Sequence, residues 1–321
     1  NTCLTTNPVD GMCGNSEYGA MPDWDVSNVT DMSQAFSEKY NFNADISSWD
    51  VSNVADMGSM FFEATSFNQN ISSWDVNSVT NMVLMFNSAS VFNAAIRTWD
   101  VSKVSSMAHM FAGAKAFNQN ISAWNVSSVT TMRDMFYRAS VFNQNISSWD
   151  VSSVTIMSGM FDYSGLSTPN YDALLHGWST QTVQQNVTLG AKGLTYCGGE
   201  DARQHLTDTY NWTVTGDKNG CTPIDNTNFQ LAINACLSTN PEDGMCSDSE
   251  YGAMPDWDVS SVTHMEDAFA VKTNFNGNIG SWDVSNVTDM SNMLYGALAF
   301  NQDIGSWDVS SVLDMTKIFY G

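Results

Sequence analysis

The sequence predicts an α/β solenoid of stacked 25-residue repeats, and three observations carry that expectation. A tryptophan recurs at one spacing at Trp24, Trp49, Trp74, Trp99, Trp124 and Trp149, and again at Trp257, Trp282 and Trp307. Around it the chain reads W-D-V-S-x-V-T-x-M-x-x-M-F-x-x-A-x-x-F-N-x-x-I-S-x, seen cleanly over 49–73. The leader NTCLTTNPVDGMCGNSEYGAMPDW of residues 1–24 returns nearly unchanged at 234–257. A period in this range marks units that cannot bury their own apolar face and must stack on their neighbours. Repetition therefore runs at two levels, repeats within a module and modules in tandem.

Residues 1–23 read as the N-terminal cap of module one, and 24–166 as six repeats. Within a repeat, a turn or short helix is expected over 52–64. Ser52 would cap it, and Val54, Met57, Met60, Phe61 and Ala64 would supply its apolar face. The segment Phe67–Ser72 reads as a short strand, which stacking would align into a parallel ladder with rungs about 4.8 Å apart. The first repeat of each module departs from the consensus alike: Ala35 and Ala268 replace a Met, and Lys39 and Lys272 replace the small Ala. An end repeat, whose outer face meets a different neighbour, should differ in this way.

Residues 167–221 show no 25-residue period and read as a C-terminal cap, with helices over 170–178 and 201–210 and a closing strand over 212–215. A linker follows at 222–227. The N-terminal cap of module two takes 228–256, and three repeats fill 257–321. A helix is expected over 224–237, capped by Asp225 or Asn226, with Phe229, Ala232, Ile233, Cys236 and Leu237 on its apolar side. Its counterpart in module one would precede Asn1, and Gly321 falls inside a repeat. Both features create the expectation of a segment from a longer tandem chain.

Composition narrows the function classes. A hydrophobic content of 43% with 12% aromatics suffices for a folded core. A net charge of −23, with only 11 Lys and Arg, argues against nucleic acid and anionic membrane as partners. No apolar run is long enough to cross a bilayer. The six cysteines fall outside the regular repeats and suggest local pairs: Cys3–Cys13, Cys197–Cys221 and Cys236–Cys246. An even count confined to irregular segments is the pattern of disulfide staples in an oxidising compartment. The spacings do not suit zinc.

The strings WDVSxVTxM, MFxxA and FNQxIS resemble the BspA-like leucine-rich-repeat surface proteins, the DUF285 family. The cap string NYDALLHGW…TYCGGEDARQHL…YNWTVT is similar to the segment that follows the repeats in that family. The likeness spans roughly 24–215 and 257–321. It implies a leucine-rich-repeat type of solenoid and a secreted or surface-displayed protein of adhesion rather than catalysis, and it supplies no catalytic residues.

Two columns of polar residues recur. Asp25, Asp50, Asp75, Asp100 and Asp150 share one position, interrupted by Asn125. Stacked carboxylates repel, so each should close an Asx turn; calcium held between neighbouring rungs is the sharper alternative. Asn43, Asn68, Asn93, Asn118 and Asn143 read as an internal asparagine ladder. Sequons occur at Asn28, Asn70, Asn120, Asn125, Asn145, Asn186, Asn211 and Asn286, of which Asn186 and Asn211 are not products of the repeat consensus.

The histidines His109, His176, His205 and His264 lie in unrelated contexts, and no nucleophile, phosphate-loop or metalloprotease motif is present. The expectation is therefore a non-enzymatic extracellular protein needing no cofactor beyond calcium. It would be a structural or adhesive component of a surface fibre, appendage or matrix, associating with itself or through tandem modules. The alternative is an adhesin or receptor ectodomain that recognises protein or glycan through a solenoid face. Exposed aromatics that vary between repeats would favour the receptor.

Overall fold

The computed structural model describes residues 2–14, 17–220, 222–246, 249 and 251–320. The chain forms two compact bodies, one of residues 1–195 and 199–218, the other of residues 196–198 and 219–321.

In the first body the repeats stack in strict register. Parallel bridges join Asp31 to Asp56, then Asn81, Ser106, Thr131 and Ile156. They fall inside the segment expected as a turn or helix, and turns are what form there. Met60 N–H closes on Met57 O at 3.1 Å and Ala64 N–H on Phe61 O at 3.0 Å. The third residue of each turn, Ser59 and Glu63, lies in the left-handed region at φ 56° and 55°, as a type II turn requires.

The intervening amides point out of the repeat. Met57, Ser59, Phe61 and Glu63 donate to the carbonyls of Asn81, Val83, Met85 and Asn87 at 2.8–3.1 Å. Turns running along the repeat and bonds running between repeats thus account for alternate amides, and no helix is needed to satisfy them. Holding a non-glycine residue at positive φ costs about 1 kcal/mol or more. The pattern repeats at 84 and 88, 109 and 113, 134 and 138, and 159 and 163.

The strand expected over 67–72 does not form. Ring centroids of Phe67 and Phe92 stack 6.1 Å apart, but among the described residues no backbone–backbone bond joins residues 67–72 to the next repeat. Side chains span the gap instead. Asn68 N–H donates to Asn43 Oδ1 at 3.0 Å, and Gln69 Nε2 donates to Asn43 O at 2.8 Å. The asparagine column is therefore a ladder, but at a partly exposed surface rather than internal. Ser52 caps no helix. Its N–H and hydroxyl both donate to Asp50 Oδ1, at 3.0 and 2.6 Å.

The core is built of identical side chains in columns. Val54, Met57, Met60, Phe61, Ala64, Phe67 and Ile71 are fully buried, and so are their equivalents in the next three repeats. Within a repeat Phe61 stacks on Phe67 at 3.9 Å, and between repeats on Phe86 at 5.5 Å. The indole of Trp74 lies parallel to that of Trp99, 3° apart.

Beyond the last repeat, helix α2 (Thr168–Ser179) covers the stack. Trp178 meets Phe161 at 6.3 Å, the spacing of Trp149 on Phe136, so the helix continues the tryptophan column. Its indole N–H has no acceptor among the described residues. Helix α3 (Glu200–Tyr210) follows, between strands Thr188–Gly190 and Thr213–Thr215, which pair in parallel. The 25-residue register, expected to lapse here, persists. Thr188 faces Thr213, and Trp212 Nε1 donates to Gln184 O, 28 residues back, like the repeat tryptophans. Arg203 grips buried Asp217 with Nε and Nη2 at 2.8 and 2.9 Å, while the hydroxyl of buried Tyr171 donates to the same carboxylate. That carboxylate and burial together raise the Tyr171 pKa well above its ordinary value, burial being the larger cause.

The short helix α1 (Thr2–Thr6) opens the first body. In the second body α4 (Phe229–Thr239) buries all five residues expected on its apolar side. Its N-cap position is Asn228. Asp225 instead closes an Asx turn on Thr227, and Asn226 bonds Thr263. The repeats at Trp257, Trp282 and Trp307 stack as before, with bridges joining His264, Asp289 and Asp314. The buried residues of this stack from Trp257 to Leu294 share one core with α4.

Candidate functional site: the variable turn face

The repeat consensus leaves blanks in M-x-x-M-F-x-x-A, and the fold assigns those blanks a place. The second residue of each blank pair is the left-handed turn residue. One such column holds Gln34, Ser59, Leu84, His109, Asp134 and Gly159, and the other Glu38, Glu63, Ser88, Gly113, Arg138 and Tyr163. None of these twelve residues is buried. The buried columns repeat one chemistry, whereas these two vary along the stack, with only Glu38 and Glu63 alike on successive rungs, and variation on a fixed frame is how such stacks present binding surfaces.

The second column is polarised. At one end Glu38 is exposed, and Glu63 accepts the Tyr40 hydroxyl at 3.3 Å. That carboxylate holds the Tyr40 pKa above its ordinary value. At the other end the Arg138 guanidinium lies 5.2 Å from the Tyr137 ring centroid and 5.7 Å from that of Tyr163. Lys192 Nζ stands 5.3 Å from the Tyr163 ring. Its pKa is raised, chiefly by a hydrogen bond with the Tyr163 hydroxyl. Tyr137 and Tyr163 meet edge to face at 6.3 Å. Ion pairs among the described residues are Arg203–Asp217, Arg133–Asp134 and His109–Asp134. Glu38, Glu63, Arg138 and Lys192 enter none of them, so their charges are not neutralised by an opposite charge among the described residues. The repeat consensus does not announce this face, because its residues fill the positions that the consensus leaves blank.

The remaining expected sites distribute as follows. Cys3–Cys13 and Cys236–Cys246 are disulfides. Cys197 is disulfide-bonded, while Cys221 lies outside the described residues. The Asp column closes Asx turns: Oδ1 of Asp25, Asp50, Asp75, Asp100 and Asp150 accepts the N–H two residues on at 3.0–3.1 Å, and Asn125 does the same at 3.2 Å. Serine hydrogen bonds lower the pKa of Asp25, Asp50, Asp100 and Asp150. Among the described residues no three His, Cys, Asp or Glu side chains are grouped to hold a metal ion.

All eight sequon asparagines are exposed. Asn186 and Asn211 lie on neighbouring rungs, both at positive φ, and Asn211 Nδ2 donates to Asn186 Oδ1. The histidines are not brought together. His109 lies 3.6 Å from Asp134, His176 is on α2, His205 on α3, and His264 in the second body. No helix is long and apolar enough to cross a membrane among the described residues.

A family model described as "Mycoplasma protein of unknown function, DUF285" matches residues 10–105, 90–192 and 244–321. No curated protein and no solved structure matches the chain.

Proposed function

The chain belongs to the family described as Mycoplasma protein of unknown function, DUF285, and from that premise we propose an extracellular structural and adhesive protein. It would be a component of a surface fibre, appendage or matrix, built as tandem solenoid modules of the leucine-rich type. The observation that carries this reading is the pair of matching disulfides. Cys3–Cys13 and Cys236–Cys246 close loops of the same separation, 10 residues, at equivalent places in the two leaders. Such staples persist in oxidising compartments and are rare in the cytosol. The exposed sequons fit the same location. The test is labelling of intact source cells with a membrane-impermeant amine reagent, followed by non-reducing peptide mapping. The expected outcome is a labelled chain with both pairs oxidised; an unlabelled chain with free thiols overturns the reading.

The variable turn face supports a second reading, a ligand-binding adhesin or receptor ectodomain. Aromatics that differ between repeats, Tyr137 and Tyr163 beside Arg138, are the residue types that anchor interfaces. Binding of a protein or glycan from the native surroundings that is lost on Tyr163→Ala would select it.

A further inference from the structure

The geometry points to self-pairing of this chain through the turn face, two copies lying antiparallel about a two-fold axis between the third and fourth repeats. The observation is the order of residues in one column: Glu38, Glu63, Ser88, Gly113, Arg138 and Tyr163. Reversing that column against itself sets Ser88 opposite Gly113, Glu63 opposite Arg138, and Glu38 opposite the Tyr163 hydroxyl. A two-fold axis lying in the interface and crossing the stack does this to every column on the face at once. The half-buried Phe62 then meets Tyr137 in the adjoining column.

The rungs are fixed. The amides of Glu38, Glu63, Ser88, Gly113, Arg138 and Tyr163 each donate to the next rung at 2.7–2.9 Å, so the charges hold their spacing. Ser88 and Gly113, the smallest residues of the column, occupy its centre, where two backbones would approach most closely. The charges at the ends have no ion-pair partner among the described residues: Glu63 accepts the neutral Tyr40 hydroxyl, Arg138 lies over the Tyr137 and Tyr163 rings, and Glu38 enters no ion pair. In a chain of net charge −23, two copies should repel unless a local pattern orients them. A parallel register would set Glu63 on Glu63 and Arg138 on Arg138, so the column selects the antiparallel one. An isologous contact of this kind is closed and stops at two copies.

Five steps of about 4.8 Å make the column roughly 24 Å long. A patch of that length and about 20 Å width buries on the order of 1,000 Å² over both partners, the size of a weak, reversible interface. The contact should also yield to salt, since its register rests on exposed charges. The proposal does not depend on an extracellular location and fails or stands separately from it.

The test is sedimentation of the full oxidised chain at low salt, for the native protein and for charge reversals. Arg138→Glu and Glu63→Arg are conservative for the backbone, because the same column already holds Glu and Arg at positive φ. The native chain should form dimers that dissociate as salt rises. Each single reversal should shift the midpoint of association at least tenfold higher in concentration, and the double reversal E63R/R138E should restore it. Dimers unaffected by either single reversal, or a folded double variant that stays monomeric, would overturn the proposal. If a reversal disturbs the circular dichroism, Glu63→Ser and Arg138→Ser replace it, because Ser88 shows that serine fits the column; each should then weaken association. A native chain that is monomeric throughout but binds polygalacturonate through Arg138 also overturns it, and gives the face to an acidic glycan.

Discussion

The indole Nε1 of Trp124 donates to the backbone carbonyl of Ile96 at 3.1 Å, 28 residues back along the chain. The same bond joins Trp49 to Met21, Trp74 to Ile46, Trp99 to Ile71 and Trp149 to Ile121. Each is buried. A tryptophan in this column therefore both fills the core of its own repeat and satisfies the backbone of the repeat before.

Trp124→Phe keeps most of the apolar volume and removes the donor. The carbonyl of Ile96 then keeps only the Trp99 N–H, at 3.2 Å, and losing one buried hydrogen bond costs about 0.5–1.5 kcal/mol. Urea unfolding followed by circular dichroism should show a clearly lower midpoint. An unchanged midpoint would mean that water reaches the carbonyl and the indole bond adds nothing.

Gly190 is glycine because two backbones touch. A Cβ there would overlap the main chain of Gly159, which cannot yield as a flexible side chain could. The same residue carries a rung-to-rung bond, accepting from Phe161 N–H at 2.9 Å. Gly190→Ala should destabilise the fold by about 3 kcal/mol or lead to loss of soluble protein. Gly14→Ala, where nothing among the described residues lies within 4 Å, serves as the control and should be within about 0.5 kcal/mol of the native chain.

Acid should weaken the repeats through the Asx turns. Serine hydrogen bonds lower the pKa of Asp25, Asp50, Asp100 and Asp150 in the fold, so folding favours their ionised form. Their contribution is complete above the unfolded value of about 3.9 and is lost as pH falls through the lower folded values. Thermal unfolding between pH 6 and pH 2 should show the loss in the lowest part of that range. The exposed setting of these carboxylates keeps each share small. Replacing Ser52 and Ser102 by Ala should flatten the profile, and an identical profile in that variant would remove the turns as its cause.

The repeat boundaries, the buried columns, the cap helices and the cysteine pairs of the two leaders could be read directly from the sequence, because each leaves a spacing that burial or loop closure enforces. The route of the backbone within a repeat could not. Met57, Met60, Phe61 and Ala64 sit at helical intervals, but consecutive β-turns bury residues at the same intervals, and only the left-handed geometry at Ser59 and Glu63 separates the two. No residue type announces that geometry when Leu84, His109 and Tyr163 also adopt it. The register surviving in the C-terminal cap was visible as N-V-T-L at 186–189 and N-W-T-V at 211–214, a likeness too short to notice without the pairing of Thr188 with Thr213.

The amides that leave each repeat at alternate residues make 25 residues the quantum by which this chain can change length. Excising residues 75–99 would return every outward N–H to an equivalent carbonyl and every indole to an equivalent acceptor. Excising a single residue within 57–63 would instead turn bridging amides inward and turn-closing amides outward across two interfaces. Growth and shortening by recombination between repeats is thereby nearly free of structural penalty, whereas small frame-preserving indels are not. A gene for such a chain can drift widely in repeat number while the sequence of each copy stays under tight restraint.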